Sequence, residues 1–231
     1  MLNRIFAYVI SAALAFSPAV AFAQAANPAP TTYAYGPQGQ PISPIGGGLL
    51  GSYSKSMQSG TIAAGLTAAS PVYSFRYGGT GIAVIRRVSF TFAELTGSAG
   101  GLAAVQMFNA RAFTASDSGG TAGTLTGNNG KLRTSLATTA VSSIQIANTG
   151  TLTAGTRTLD TDPMAGIVIP LTTTADTGNI NSILYEVGQA GDYPLELANN
   201  EGFVIQLTVP ATGTEVVSVR VDWEEYSAFT P

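Results

Sequence analysis

The chain has 231 residues, with 10 Lys and Arg against 13 Asp and Glu, giving a net charge of −3 at pH 7. It has no His and no Cys, which excludes a Ser-His-Asp triad, a Cys-His dyad, a zinc finger and an iron-sulfur centre. With 28 Thr and 27 Gly, nearly a quarter of the chain is built from two residue types that favour strands and tight turns.

Residues 1–23 resemble a secretory signal peptide. Arg4 precedes an apolar run from Ile5 to Phe16, and Ala21-Phe22-Ala23 is a small-x-small cleavage site, with Ala23-Gln24-Ala25 as a second candidate. Ser17-Pro18 interrupts the run before it reaches the length of a membrane-spanning helix. Contact with a membrane is therefore expected only through this leader, if it stays uncleaved. Residues 24–50 are rich in Pro, Gly and Gln and read as an extended arm or linker. Tyr33, Tyr35, Ile42, Ile45, Leu49 and Leu50 give that arm apolar anchors for a neighbouring copy or an underlying shell.

Residues 51–231 read as one β-sandwich domain. Nine apolar, β-branched runs follow one another: Thr61–Leu66, Val72–Tyr77, Ile82–Leu95, Leu102–Phe113, Thr138–Ile146, Met164–Leu171, Ile183–Val187, Phe203–Val209 and Val216–Trp223. Turn-forming Gly, Asn, Ser and Thr separate them, and no long helical period appears outside the leader. The pattern predicts an all-β fold, an antiparallel jelly-roll-like β-sandwich preceded by an extended N-terminal arm. The last two runs predict a hairpin. Phe203, Ile205, Leu207 and Val209 alternate with Val204, Gln206 and Thr208, and Val217, Val219, Val221 and Trp223 alternate with Ser218, Arg220, Asp222 and Glu224. A shared core face pairs Leu207 with Val217, Ile205 with Val219 and Phe203 with Val221, around a turn at Ala211–Gly213.

The motifs that could carry chemistry all have simpler readings. Asp117-Ser118-Gly119-Gly120 is worded like the nucleophile loop of trypsin-like proteases, but no imidazole exists to take the hydroxyl proton. A Ser-Lys dyad with Lys55 or Lys131 is a formal alternative to a plain surface turn. Asp222, Glu224 and Glu225 could be paired carboxylates of a glycosidase, or a solvated strand end. Asp160-Thr161-Asp162 lacks the spaced acidic loop of a calcium site. No enzyme, cofactor or metal is expected. The Arg86-Arg87 pair is the longest run of cations, so there is no basic stripe for nucleic acid.

Three stretches resemble a group of virion-associated β-sandwich structural proteins of tailed bacteriophages and prophages. They are Arg111–Ser135 (RAFTASDSGGTAGTLTGNNGKLRTS), Thr151–Pro163 (TLTAGTRTLDTDP) and Tyr193–Glu225. Gly51–Lys55 and Gly60–Leu66 fit the same group, so the resemblance spans about residues 51–226. It implies a sandwich displayed on an assembled particle, as a capsid decoration or tail-associated subunit, with no enzymatic residues to carry over. The expected partners are copies of the chain itself, a trimer being favoured, or a larger protein shell. The expected location is the virion. The leader favours an alternative: a secreted or periplasmic β-sandwich on the bacterial surface, acting as an adhesin, filament subunit or glycan-binding module.

Overall fold

Side chains that alternate between apolar and small polar residues make strands of this chain, and the inward-facing sets of two sheets form its core. The structure, a computed structural model, describes residues 34–35, 41–42, 49–63, 65–66, 68–173, 180–187 and 193–227. The leader lies outside the described residues. In chain order the strands are β1 (Ala34–Tyr35), β2 (Pro41–Ile42), β3 (Leu49–Gln58), β4 (Ile62–Ala63) and β5 (Ser70–Tyr77). Then come β6 (Ile82–Thr96), β7 (Gly101–Ala115), β8 (Gly120–Ala122), β9 (Val141–Ala147) and β10 (Thr156–Leu159). The last are β11 (Ala165–Leu171), β12 (Ile180–Glu186), β13 (Leu195–Leu197), β14 (Glu201–Thr208) and β15 (Thr214–Tyr226). No helix occurs among the described residues.

Two antiparallel sheets pack together. One has the order β12-β6-β15-β3, with β13 beside β6 and β4 beside β15. The other runs β10-β7-β14-β5-β9-β8, with β11 also on β7. Take β3, β5, β6, β7, β11, β12, β14 and β15 in turn. Each step between them crosses from one sheet to the other, except the step from β7 to β11. That path is a jelly roll, two interlocked Greek keys. The chain enters β3 and leaves β15 at the same end, with Leu49 opposite Tyr226.

The predicted C-terminal hairpin does not form. β14 and β15 lie in different sheets, β14 between β5 and β7 and β15 between β3 and β6. The odd-numbered side chains of both strands do face the core, but they face each other across the sandwich. Gly213, at φ +100°, lies in the link that carries the chain from one sheet to the other. β14 is buried on both faces because Val204, on its even side, packs with Ala110 and Phe113 in a satellite cluster.

The main core joins Tyr53, Val217, Val219, Val221 and Trp223 of one sheet to Tyr73, Phe75, Phe203, Ile205 and Leu207 of the other. Within it Trp223 is stacked on Tyr53 at 5.4 Å between ring centroids and edge-on to Phe75 at 5.3 Å. Tyr73 is stacked on Phe203 and fully buried, and its hydroxyl has no hydrogen-bond partner. Burial drives the phenol pKa upward. An unpaired buried hydroxyl is a liability, so Tyr73→Phe should leave stability unchanged or raise it by about 1 kcal/mol. Urea denaturation with an unchanged m-value measures this, and a clear loss of stability would contradict it.

Candidate assembly surface

The two sides of the sandwich differ in how their strand edges are finished. Residues 116–155, inserted between β7 and β10, close one side. Within them β8 and β9 extend the second sheet past β5. The same insertion runs along the free edge of β3, where Ser54 N–H donates to the Gly130 carbonyl at 2.7 Å and Leu132 N–H to the Ser52 carbonyl at 3.2 Å. Glu225, buried at the end of β15, fastens the far part of the insertion. Its carboxylate accepts from the Thr139 hydroxyl, from Ala140 N–H at 2.9 Å and from the Trp223 indole N–H at 3.0 Å. Burial and the Glu225 charge push the Tyr53 phenol up to about 12, so it stays protonated and donates to the Ala137 carbonyl.

On the opposite side the described residues leave two strand edges uncovered. β11 pairs only with β7 and β12 only with β6, so each leaves one backbone edge without a strand partner among the described residues. Apolar side chains are exposed along this side. Val168 of β11 is 62% exposed and Leu102 of β7 63%, in the registered pairs Val168–Ala104 and Leu102–Pro170. Ile183 of β12 is 45% exposed. Next to Ile183, on the outer face of the first sheet, is a recess of about 280 Å³ lined by Arg87, Ser89, Thr91, Asn181 and Arg220 among others. Its cations already have carboxylates near them: Arg220 pairs with Asp222 at 3.0 Å, and Arg87 lies 3.8 Å from Glu186. An unprotected edge flanked by apolar side chains is a ready template for another chain.

The arm anchors are placed unevenly. Tyr33 and Ile45 lie outside the described residues. Tyr35 is in β1 and Ile42 in β2, two short strands that pair only with each other among the described residues, through Ala34–Ile42 and Tyr35–Pro41. Leu49 and Leu50, assigned to the arm from sequence, are the exposed first residues of β3, so the sandwich begins at 49 rather than 51.

The sequence motifs turn out to hold the framework together. Asp117 of the Asp-Ser-Gly-Gly stretch is buried and binds Arg157 through both oxygens, at 2.9 and 3.0 Å, and also accepts Gly155 N–H at 2.8 Å. Ser118 and Thr153 form a backbone bridge beside it. Together they close the insertion at its base. The Ser116 hydroxyl accepts from Arg76 at 3.2 Å, and the Lys55 ammonium donates to the Thr124 carbonyl at 3.2 Å. Of the C-terminal acids, Asp222 is held by Arg220 and Glu224 by Arg86 at 2.5 Å and by the Tyr226 hydroxyl at 2.7 Å, while Glu225 points inward. Asp160 pairs with Arg111, whose hydrogen bond lowers the carboxyl pKa. Among the described residues, no group of three or more acidic side chains is placed to hold a metal ion.

Sequence reasoning missed the Asp117–Arg157 pair, whose members are 40 positions apart. It also missed the finished and open edges, which follow from the path of the chain and leave no local signal.

No protein-family model matches the chain, and no curated protein matches it. Among solved structures it is similar to a chain in the structure of infectious bursal disease virus Gx strain, with 15% identity and a TM-score of 0.15. The match covers 76% of this chain and 41% of that one. So distant a likeness carries no argument about fold or function.

Proposed function

We propose that the chain is a non-enzymatic structural subunit of a phage or phage-like particle, a capsid decoration or tail-associated protein present in several copies. The jelly-roll path carries this reading, because double-sheet sandwiches of this kind are widely used as capsid building units, although lectins and cupins use them too. The asymmetry of its sides adds to it: one side is closed by the insertion and the other presents open edges beside Val168 and Ile183. Only 10% of the chain is charged, so little hydration has to be stripped when copies meet. Copies associate side by side through the open edges, with a trimer favoured, and the arm adds a second contact to a neighbour or shell.

Light scattering of the mature chain at micromolar concentration tests the assembly. Val168→Lys and Ile183→Lys should each shift the population toward monomer without moving the unfolding midpoint, because both side chains are exposed. Deleting residues 24–48 should weaken assembly and leave the sandwich folded. A monomeric wild type, or an oligomer that survives all three changes, would retire this assembly model. The function itself is tested by fractionating producing cells on a density gradient: the chain should band with particles.

The signal-peptide-like residues 1–23 favour a second reading, an exported surface or periplasmic sandwich serving as adhesin, filament subunit or glycan-binding module. That reading expects a chain beginning at Gln24 in the periplasmic or surface fraction, with none in particles.

A further inference from the structure

At the end of the sandwich opposite the chain's entry, two glutamates are buried at opposed positions of neighbouring strands. Glu94 of β6 and Glu215 of β15 are directly opposite in register, and both are buried, at 7% and 4% exposure. Directly paired cross-strand residues have Cβ atoms about 5 Å apart, close enough for two side chains on the same face to interact. Glu94 accepts one hydrogen bond, from Ser98 N–H at 2.7 Å. Oε1 of Glu215 is buried and has no partner.

Nothing positive faces the pair. Neither glutamate has an ion-pair partner among the described residues. β4, which pairs Ile62 with Glu215, carries no charge, and neither do the links at 97–100 and 209–213. The ends of the facing strands nearby, residues 70–72, 101–103, 170–171 and 207–208, carry none either. On their own strands the nearest cations are Arg87 and Arg220, both well along the sheet and on its outer face. Two buried, opposed carboxylates cannot both ionise cheaply without a counter-charge.

We propose that the folded chain holds a proton on Glu215, buried opposite Glu94, and that this carboxylic acid is a pH-sensitive fastening between β6 and β15. Burial, with the Glu94 charge adding to it, pushes Glu215 up to about 7 from an ordinary 4.5. The folded chain then keeps a proton that the unfolded chain has lost. The stability this group contributes is full below about pH 4.5, falls as pH rises towards 7, and is lost above it. Acidification would tighten this end of the sandwich, while mild alkali would loosen it.

Thermal and urea unfolding of the full chain across pH 5 to 8.5 tests this. The wild type should weaken across the interval, by up to about two orders of magnitude in its unfolding constant. Glu215→Gln, which keeps the volume and supplies an amide donor in place of the acidic proton, should flatten that dependence and exceed the wild type at pH 8. Glu94→Gln removes only the neighbouring charge and should lessen the dependence without abolishing it, because burial is the larger cause; it serves if the first variant fails to fold. The infrared band of a protonated carboxylic acid should be present in the wild type at pH 6 and absent from Glu215→Gln. An unchanged pH dependence in both variants, or no such band, would overturn the proposal. So would stabilisation of the wild type, but not of Glu215→Gln, by added calcium or magnesium, which would make the pair a cation site.

Discussion

Trp223→Ala is expected to cost about 3–5 kcal/mol, the range for removing a large buried aromatic side chain. Domains are stable by only about 5–15 kcal/mol, so the variant would stand near the edge of folding. The loss has three physical parts. The indole fills the space between the sheets, where it is 1% exposed. It also makes the stack on Tyr53 and the edge contact with Phe75, which bind β15 to β3 within one sheet and to β5 across the core. Its N–H is one of the donors that satisfy buried Glu225. Trp223→Phe isolates that last part: it keeps most of the packing and should cost about 1–3 kcal/mol for the lost donor to a charged acceptor. Urea denaturation of both variants, compared through midpoints at constant m-value, gives the ordering. Equal losses would mean that the hydrogen bond, not the packing, dominates.

Asp117→Ala should be nearly as damaging, at about 3–5 kcal/mol, because it leaves a buried guanidinium without its counter-charge. The Arg157 side chain is 6% exposed and that of Asp117 is fully buried, so water cannot replace the lost carboxylate. Gly155 N–H loses its acceptor at the same time. The damage should be local before it is global. Hydrogen exchange across residues 116–155 should quicken first, with β14 and β15 protected until the whole domain unfolds. Replacing both partners by apolar residues, Asp117→Leu with Arg157→Met, should recover much of the loss, since an apolar pair needs no counter-charge. If the single and double variants were equally unstable, backbone geometry rather than charge would be holding the insertion.

The all-β class and most long strands could be read from the sequence because they announce themselves as apolar, β-branched runs. β5, β6, β7, β11, β14 and β15 each coincide with such a run. β3 does not, because Ser and Lys separate its inward residues, and only Gly51, Tyr53 and Met57 turn to the core. The pairing of β14 could not be read at all. Alternation shows which side of a strand is buried, and that side is the same whether a strand hydrogen-bonds to its successor or faces it across the core. Residues now seen to hold the framework were hidden for a related reason. Asp117 lies in a stretch worded like a surface turn, and Glu215 and Glu94 look like ordinary solvent-facing acids until the register places them opposite each other. The arm anchors Tyr33 and Ile45 lie beyond the described residues, whereas Leu49 is visible as the first residue of β3.

The central position of β15 has a consequence for the order of events in folding. This strand joins β3 to β6, so the first sheet has no middle until the last strand has been made. β3 must wait through more than 150 intervening residues for its hydrogen-bonding neighbour, as the Ser218–Gln58 and Tyr226–Leu49 pairs show. Loop closure over that distance puts the chain among slow, high-contact-order folders. Among the pairs that can form before β14 and β15 exist are β5 with β9 and β7 with β11 in the second sheet, and β6 with β12 in the first, each one side of a sheet whose middle strand comes late. The sandwich therefore closes only once β15 has been made, and until it closes the inner face of β3 is exposed to chaperones, to proteases and to other copies of the chain.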